Sequence, residues 1–330
     1  MPLLSEAATE YRRHLVARGR SEGTAQGRYN TLKTLIRIIG DRPCSRVEPR
    51  HVDDFFSEHP HWCAGTRNNQ LYNLTAFFEW CRFRRYMSTS ADPCHGWRKE
   101  FYAIPPKLYV PVSEWPRLFH ACQTPLETVT LATGLYLFLR ASEQQQLLVK
   151  HVHLDRHEVD IYRRKVRDYD TMPIPAELAP YLRAHLTHMA EEGHAHPDSH
   201  LVYARTTPRV VAGRQGFVPG TTGVNPSRPH GRPYLIVKGI LERAGYDTHQ
   251  EGEHTLRRSG ARAYFDTLVA DGYDGALRRV MSMLGHRNSR NTETYLGLSL
   301  DRHRRNHDLR GKPMFPQLQD ARIIPLWEEK

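Results

Sequence analysis

Two stretches near the carboxyl end carry the most informative pattern in the chain: HTLRRSGARAYFD at residues 254–266 and LGHRNSRNTETYLG at residues 284–297. In the first, His254 and Arg257 are three positions apart and therefore share one face of a helix. In the second, Tyr295 follows His286 by nine residues. Each piece alone fits ordinary structure, because Leu-Gly-His occurs at helix C-caps and tyrosines are often half-buried. Their order and spacing together favour a functional site.

This ordered set resembles the tyrosine recombinase, or phage integrase, family of site-specific recombinases. That family has His-x-x-Arg on a helix, then Leu-Gly-His, then a tyrosine nine residues after this last histidine, as at His286 and Tyr295. The resemblance implies that Tyr295 is the nucleophile that becomes covalently joined to DNA. It also implies that His254 and Arg257 lie beside the attacked phosphate.

The family has an earlier arginine, usually within Thr-Gly-Leu-Arg-x-Ser-Glu. Here residues 133–148 read TGLYLFLRASEQQQLL, so four residues separate Leu135 from Arg140. Arg140 and Glu143 match the second half of the pattern, and Arg140 is therefore the expected first arginine. The intervening YLFL is interpreted either as one added helical turn or as part of the helix already present.

The family's catalytic lysine lies in a β-hairpin, eight residues before a proline. Residues 157–175, HEVDIYRRKVRDYDTMPIP, are β-prone, and Lys165 to Pro173 has that spacing. Asp170 stands where the family more often has a basic residue. Lys150 is a competing candidate at a predicted helix end, and Lys165 is alternatively an ordinary surface-strand lysine.

These residue types suit phosphoryl transfer, in which the transition state gains negative charge on the non-bridging oxygens. The two arginines each present a planar pair of donors, and His286 donates one more hydrogen bond. By resemblance, Lys165 protonates the departing 5′-oxygen, and His254 assists proton transfer or holds the phosphate. Glu143 would support a nearby histidine or arginine. The implied 3′-phosphotyrosyl intermediate conserves bond energy, so we expect no cofactor and no metal.

The chain is predicted to be mainly α-helical with a small antiparallel β-sheet and two domains. Residues 1–104 are expected to form a helical core-binding (SAM-like) domain, because residues 18–40 and 66–87 resemble that part of the family. Residues 105–330 are expected to form the mixed α/β catalytic domain and a C-terminal tail. Candidate DNA contacts in the first domain are Lys33, Arg67, Arg84 and Arg85, although such residues more often form a solvated helix face.

Periodicity and breakers predict the remaining elements. Helices are expected over about 5–18, from Thr24 to Ile39, over 48–58 and from Thr66, followed by helices from Pro116 and through 131–148. Residues 208–232 are predicted to be a long loop. The tail after Asp301 is expected to dock onto a neighbouring protomer or onto its own domain.

The formal net charge of +11 favours a polyanionic partner such as nucleic acid. All five cysteines lie in the first 122 residues without a Cys-x-x-Cys pair, so they are interpreted as reduced thiols. Five histidines between 185 and 200 leave a zinc site open, but the polar HLTHMAEEGHAHPDSH run is better explained as a solvated loop. The sequence has no membrane-length apolar stretch or signal core, so a cytoplasmic protein is expected.

The family resemblance implies double-stranded DNA target sites and a homotetramer on paired sites, with an accessory DNA-bending or directionality factor as a further partner. The expected activity is integration or excision of a phage or mobile element. Three alternatives stay open at this point: a type IB topoisomerase that relaxes DNA, a non-catalytic DNA-binding protein, and a metalloenzyme centred on residues 185–200.

Overall fold

The chain divides into two compact units, Met1–Pro105 and Pro106–Lys330. The computed structural model describes residues 1–101, 107–163, 168–206, 211–213, 216–218, 223–249 and 251–298. The predicted boundary between residues 104 and 105 lies outside these ranges, and the roles assigned to the two domains stay predictions.

The first unit is helical. Its helices are α1 (Leu4–Ala17), α2 (Glu22–Ile39), α3 (Pro49–Ser57) and α4 (Ala64–Phe83). The Ser21 side chain caps α2 by accepting a hydrogen bond from the Thr24 amide, and Gly40, with a φ of +79°, ends it. Leu32 and Leu35 of α2 pack with Leu74 of α4 in one core. The helices predicted here are therefore confirmed.

The second unit combines helices with short antiparallel strands. Its helices are α5 (Trp115–His120), α6 (Pro125–Tyr136), α7 (Ala141–Gln144), α8 (Ala179–Glu191), α9 (Pro233–Arg243), α10 (Glu253–Ala270), α11 (Ala276–Met283) and α12 (Ser289–Leu296). Its strands are β1 (Val152–His153), β2 (Glu158–Arg163), β3 (Asp168–Pro173), β4 (Tyr203–Thr206), β5 (Val211–Gly213), β6 (Gly216–Val218) and β7 (Gly223–Pro229).

A buried helix organises this unit. Helix α6 packs against α8, α9 and α10, and its Leu131, Ala132 and Leu135 are fully buried. Beside it, β1, β2 and β3 form one antiparallel sheet in that order, with Glu158 of β2 opposite Pro173 of β3. The predicted β-hairpin is thus confirmed, and so is the mainly α fold with a small sheet.

The expectation of one helix through residues 131–148 is wrong. Helix α6 stops at Tyr136, and α7 begins only after Arg140. Between them Phe138 adopts a left-handed φ of +52°, which an α-helix excludes. The YLFL insertion therefore neither lengthens a helix nor belongs wholly to one.

The long loop expected over 208–232 is also wrong where the structure describes it. Residues 211–213 pair with 216–218, and β7 pairs with β4 across a register shift at Tyr203 and Ala204. The high glycine and proline content of this segment is typical of loops, so its strands were not predicted. No helix in the described ranges is long and apolar enough to cross a membrane.

Candidate active site

A buried carboxylate collects the predicted arginines. Glu143, 3% exposed, accepts hydrogen bonds from Arg140 Nη1 at 2.6 Å and Arg257 Nη1 at 3.5 Å. Burial alone would raise the pKa of Glu143, but the Arg140 amide and the charges of Arg163, Arg257 and Arg140 lower it overall. Glu143 was predicted to support a nearby histidine or arginine, and in the structure it pairs with arginines.

Arg257 is the most deeply buried charged group of this cluster, with 1% exposure. Its Nη2 donates to the Leu284 carbonyl at 2.6 Å, and its Nη1 donates to the Phe138 carbonyl. Loss of solvent and the nearby Arg140 charge lower its pKa to about 10, so it stays a cation at neutral pH. Packing thus fixes the direction in which this guanidinium points.

The Leu-Gly-His turn follows α11 and is held by the same arginines. Arg140 Nη2 donates to the Leu284 carbonyl at 3.2 Å, beside the bond from Arg257. Gly285 has a φ of +60°, a conformation that favours glycine. Cations at this helix C-terminus also complement its dipole. The turn presents His286, whose Nδ1 lies 3.0 Å from Thr292 Oγ1.

Tyr295 on α12 meets the other predicted residues. Its ring centroid is 5.7 Å from that of His286, and the Arg257 guanidinium carbon lies 6.0 Å from the ring centroid. Its hydroxyl donates to the His254 backbone carbonyl at 3.2 Å. Burial raises the pKa of Tyr295 to about 12, despite opposing contributions from Arg257, Arg258 and Arg140. The phenol is therefore neutral at physiological pH.

The structure thus brings five predicted residues to one place at the junction of α7, α10, α11 and α12: Arg140, His254, Arg257, His286 and Tyr295. The family model "Phage integrase family" matches residues 109–301, more than half of the chain. The chain belongs to the phage integrase family.

Solved structures of integrases share the fold of this chain. A lambda integrase dimer bound to a COC′ core site is 12% identical and has a TM-score of 0.63, the match covering 89% of this chain and 95% of that chain. Tn1549 transposon integrase in complex with a circular intermediate DNA is 15% identical and has a TM-score of 0.57, covering 88% and 94%. No curated protein matches the chain in sequence. The integrase described here is a tyrosine recombinase, an enzyme that cleaves and rejoins DNA.

The two lysine candidates of this integrase differ in what the structure shows. Lys165 lies outside the described residues. Lys150 forms an exposed ion pair with Asp198, Nζ to Oδ1 at 2.6 Å, at the end of a short 3-10 helix. An exposed pair of this kind is typical of a surface contact.

Two site residues were missed by sequence reasoning. Arg163 at the end of β2 is 5% exposed and donates to Glu143, Asp170 and the Met283 carbonyl. Glu253 precedes His254 and is also buried, and burial raises its pKa to about 8. The only signal for Arg163 was its place in the hairpin beside Lys165, and Glu253 carried no signal.

The candidate DNA-contacting residues of the first unit have mixed surroundings. Lys33 and Arg85 are exposed. Arg67 pairs with Glu100 and lies 5.5 Å from the Phe56 ring centroid, and Arg84 pairs with Glu10. A phosphate would have to replace these carboxylates, so DNA contact by Arg67 and Arg84 stays a prediction.

The histidine run is not simply a solvated loop. His185 lies on α8, is buried, and has Nε2 2.9 Å from the Leu201 carbonyl. Burial lowers its pKa to about 4. Among the residues that the structure describes, no group of three or more histidine, cysteine, aspartate or glutamate side chains could hold a metal ion.

Proposed function

We propose that this recombinase cleaves DNA through a 3′-phosphotyrosyl intermediate on Tyr295. The observation that carries the proposal is the position of the Tyr295 ring against His286 and the buried guanidinium of Arg257. A phenol beside a buried guanidinium and a histidine is suited to attack a phosphodiester, because the arginines stabilise the charge that develops on the phosphate oxygens.

In the proposed cleavage step, Tyr295 Oη forms a bond to phosphorus and the bond from phosphorus to the 5′-oxygen breaks. Arg140 and Arg257 hold the non-bridging oxygens, and His286 donates a further hydrogen bond. The phenol proton passes to a base, for which His254 is suited because burial and then Arg257, Arg258 and Arg140 lower its pKa. Its neutral form therefore predominates at neutral pH.

Lys165 is proposed to protonate the departing 5′-oxygen, with its sequence position between the paired strands β2 and β3 as support. Attack by the 5′-hydroxyl of another strand then reverses the step, breaks the bond to Tyr295 and rejoins the DNA. The ester conserves the energy of the broken bond, so rejoining proceeds without a nucleotide cofactor.

The biological role that we propose is integration or excision of a phage or mobile element by a homotetramer on paired duplex sites. Support comes from the solved neighbours, which include a lambda integrase tetramer bound to a Holliday junction with a TM-score of 0.62. An accessory DNA-bending or directionality factor would complete the reaction. The site of action would be the bacterial cytoplasm or nucleoid.

The decisive variant is Tyr295→Phe, which removes the nucleophilic oxygen and retains the ring. We expect normal DNA binding and complete loss of the covalent adduct. The assay uses labelled duplex from the DNA flanking the gene, nicked to trap the intermediate, and denaturing electrophoresis. Tyr264→Phe on α10 is the matched control and should form adduct normally. An adduct with Tyr295→Phe would contradict the proposal, and DNA binding without any wild-type adduct would favour a non-catalytic DNA-binding protein.

A further inference from the structure

Arg163 is a buried cation for which the recombinase pattern in this sequence gives no role. Its Nε and Nη2 donate to Asp170 Oδ2 at 3.0 and 2.9 Å, across the β2–β3 hairpin. Its Nη1 donates to Glu143 Oε2 at 3.3 Å, and Nη2 also donates to the Met283 carbonyl at 2.9 Å. One guanidinium therefore joins the hairpin, α7 and the end of α11.

This arrangement requires an arginine. A buried charge is tolerated only when it is paired and hydrogen-bonded, and a planar fork of donors can satisfy several acceptors at fixed angles. Arg163 also packs beneath the Leu-Gly-His turn, since a Cβ built on Gly285 would lie 3.7 Å from Arg163 Nε. Its Nε, Nη1 and Nη2 all donate to protein groups, so Arg163 is suited to hold these groups together.

The acceptors of Arg163 are those of the phosphate site. Glu143 Oε2 also accepts from Arg257, and Met283 precedes Leu284, whose carbonyl accepts from Arg140 and Arg257. On its other side, Arg163 is the last described residue of β2, and Lys165 follows two positions later in the sequence. Arg163 thus links the arginine cluster to the strand that leads to the lysine.

We propose that Arg163 is a positioning residue that fixes the hairpin, and with it the general acid, relative to Arg140 and Arg257. This proposal rests on the proposed function above. Asp170 completes the link by holding the guanidinium from the opposite strand. Loss of the link should slow departure of the 5′-oxygen more than it weakens phosphate binding.

The test compares Arg163→Met with wild type in single-turnover adduct formation on two nicked target duplexes. One has the normal 5′-oxygen at the scissile bond, and the other has sulfur, a leaving atom that needs no general acid. With oxygen we expect adduct formation about 100-fold slower, the effect of misplacing a catalytic group by about 1 Å. With sulfur the rate should return to within about 3-fold of wild type, because the acid step is bypassed.

The matched control is Arg156→Met. Arg156 is an exposed arginine that precedes β2, and its Nε lies 3.6 Å from Glu158 Oε2. The Arg156→Met variant should behave as wild type on both duplexes. An equal Arg163→Met defect with oxygen and sulfur, or no defect on either, would overturn the proposal.

Thermal unfolding and duplex binding show whether Arg163→Met folds. Should it fail to fold, Asp170→Asn replaces it, because Asp170 is half-exposed and Arg163 is retained. A slower reaction confined to the oxygen duplex supports the proposal, and any other pattern with Asp170→Asn overturns it. Absence of an adduct from wild type on both duplexes is a different result, which would refute the proposed function itself.

Discussion

At the scale of single residues, His254 combines an exposed position with a lowered pKa. His254 lies in the first turn of α10, where neighbouring protein atoms cover part of its side chain and the cations Arg257, Arg258 and Arg140 add to the effect of this partial loss of solvent. Both effects disfavour the imidazolium form. As the proposed base, His254 would accept the Tyr295 proton in its neutral form.

This state of His254 predicts the acid side of the pH profile. At subsaturating DNA, the rate of adduct formation should decline as pH falls, with a midpoint below 6.5, the ordinary histidine value. His254→Gln should react more slowly and lose that decline. Rates are measured on the nicked duplex across the acid range, with duplex binding measured in parallel. The exposed His120 provides the control variant His120→Gln, and a midpoint above 6.5 in wild type would contradict the prediction.

Glu253 gives a prediction about stability. Burial raises its folded pKa to about 8 from 4.5, so the folded protein retains a proton that the unfolded chain releases above 4.5. The stability that this difference provides is complete below 4.5 and is lost as pH rises through about 8. Glu253→Gln has no proton to release, so its free energy of unfolding should exceed that of wild type increasingly toward alkaline pH.

The size of this effect is bounded by about 1.4 kcal/mol for each unit of pKa difference. Denaturant unfolding of wild type and Glu253→Gln at about pH 5 and about pH 8 measures it. Glu177→Gln, which changes an exposed glutamate, should leave the pH dependence of wild type in place. A constant difference between Glu253→Gln and wild type at both pH values would show that burial does not raise the pKa of Glu253 as described.

At the scale of elements, the junction of α6 and α10 determines where Arg257 lies. Gly260 on α10 faces the Leu135 carbonyl of α6 so closely that any Cβ there would overlap it. One helical turn earlier, Arg257 donates to the carbonyl of Phe138. The YLFL insertion therefore supplies an anchor for Arg257, and close helix packing brings the anchor into reach.

Gly260→Ala should consequently move α6 from α10 and displace Arg257. We expect a loss of about 1–3 kcal/mol in the free energy of unfolding, as for other overpacked sites, together with a large loss of cleavage. Gly239→Ala on α9 is the control, because its Cβ would meet only the flexible end of Arg243 at 3.2 Å. Denaturant unfolding and adduct formation are measured for both variants. Wild-type cleavage by a folded Gly260→Ala would refute this account of how Arg257 is positioned.

At the scale of the whole molecule, the net charge of +11 predicts that DNA binding weakens as the salt concentration rises. Neutralising phosphates releases counterions, so the logarithm of the binding constant should fall linearly with the logarithm of salt concentration. If about six to ten phosphates are contacted, affinity should fall by about 10³-fold or more between about 50 and 200 mM salt. Fluorescence anisotropy with target and unrelated duplexes measures this slope. Affinity independent of salt would contradict a phosphate-dominated interface.

The sequence by itself determined the order of the candidate site residues along the chain and most of the secondary structure that carries them. His254, Arg257, His286 and Tyr295 were predicted because their order and spacing resemble the tyrosine recombinase pattern, and the helices of the first unit were found from apolar periodicity. The hairpin over residues 157–175 followed from its β-prone run. These features are local, because caps, periodicity and motif spacing depend on residues close together in the chain.

Only the tertiary structure decided which distant groups satisfy one another. Glu143 meets Arg257, 114 positions away, and Arg163 meets the carbonyl of Met283, 120 positions away. No local pattern encodes such pairs. They arise because packing of α6, α10 and α11 removes water from these charges, and a buried charge is stable only where folding brings it a partner.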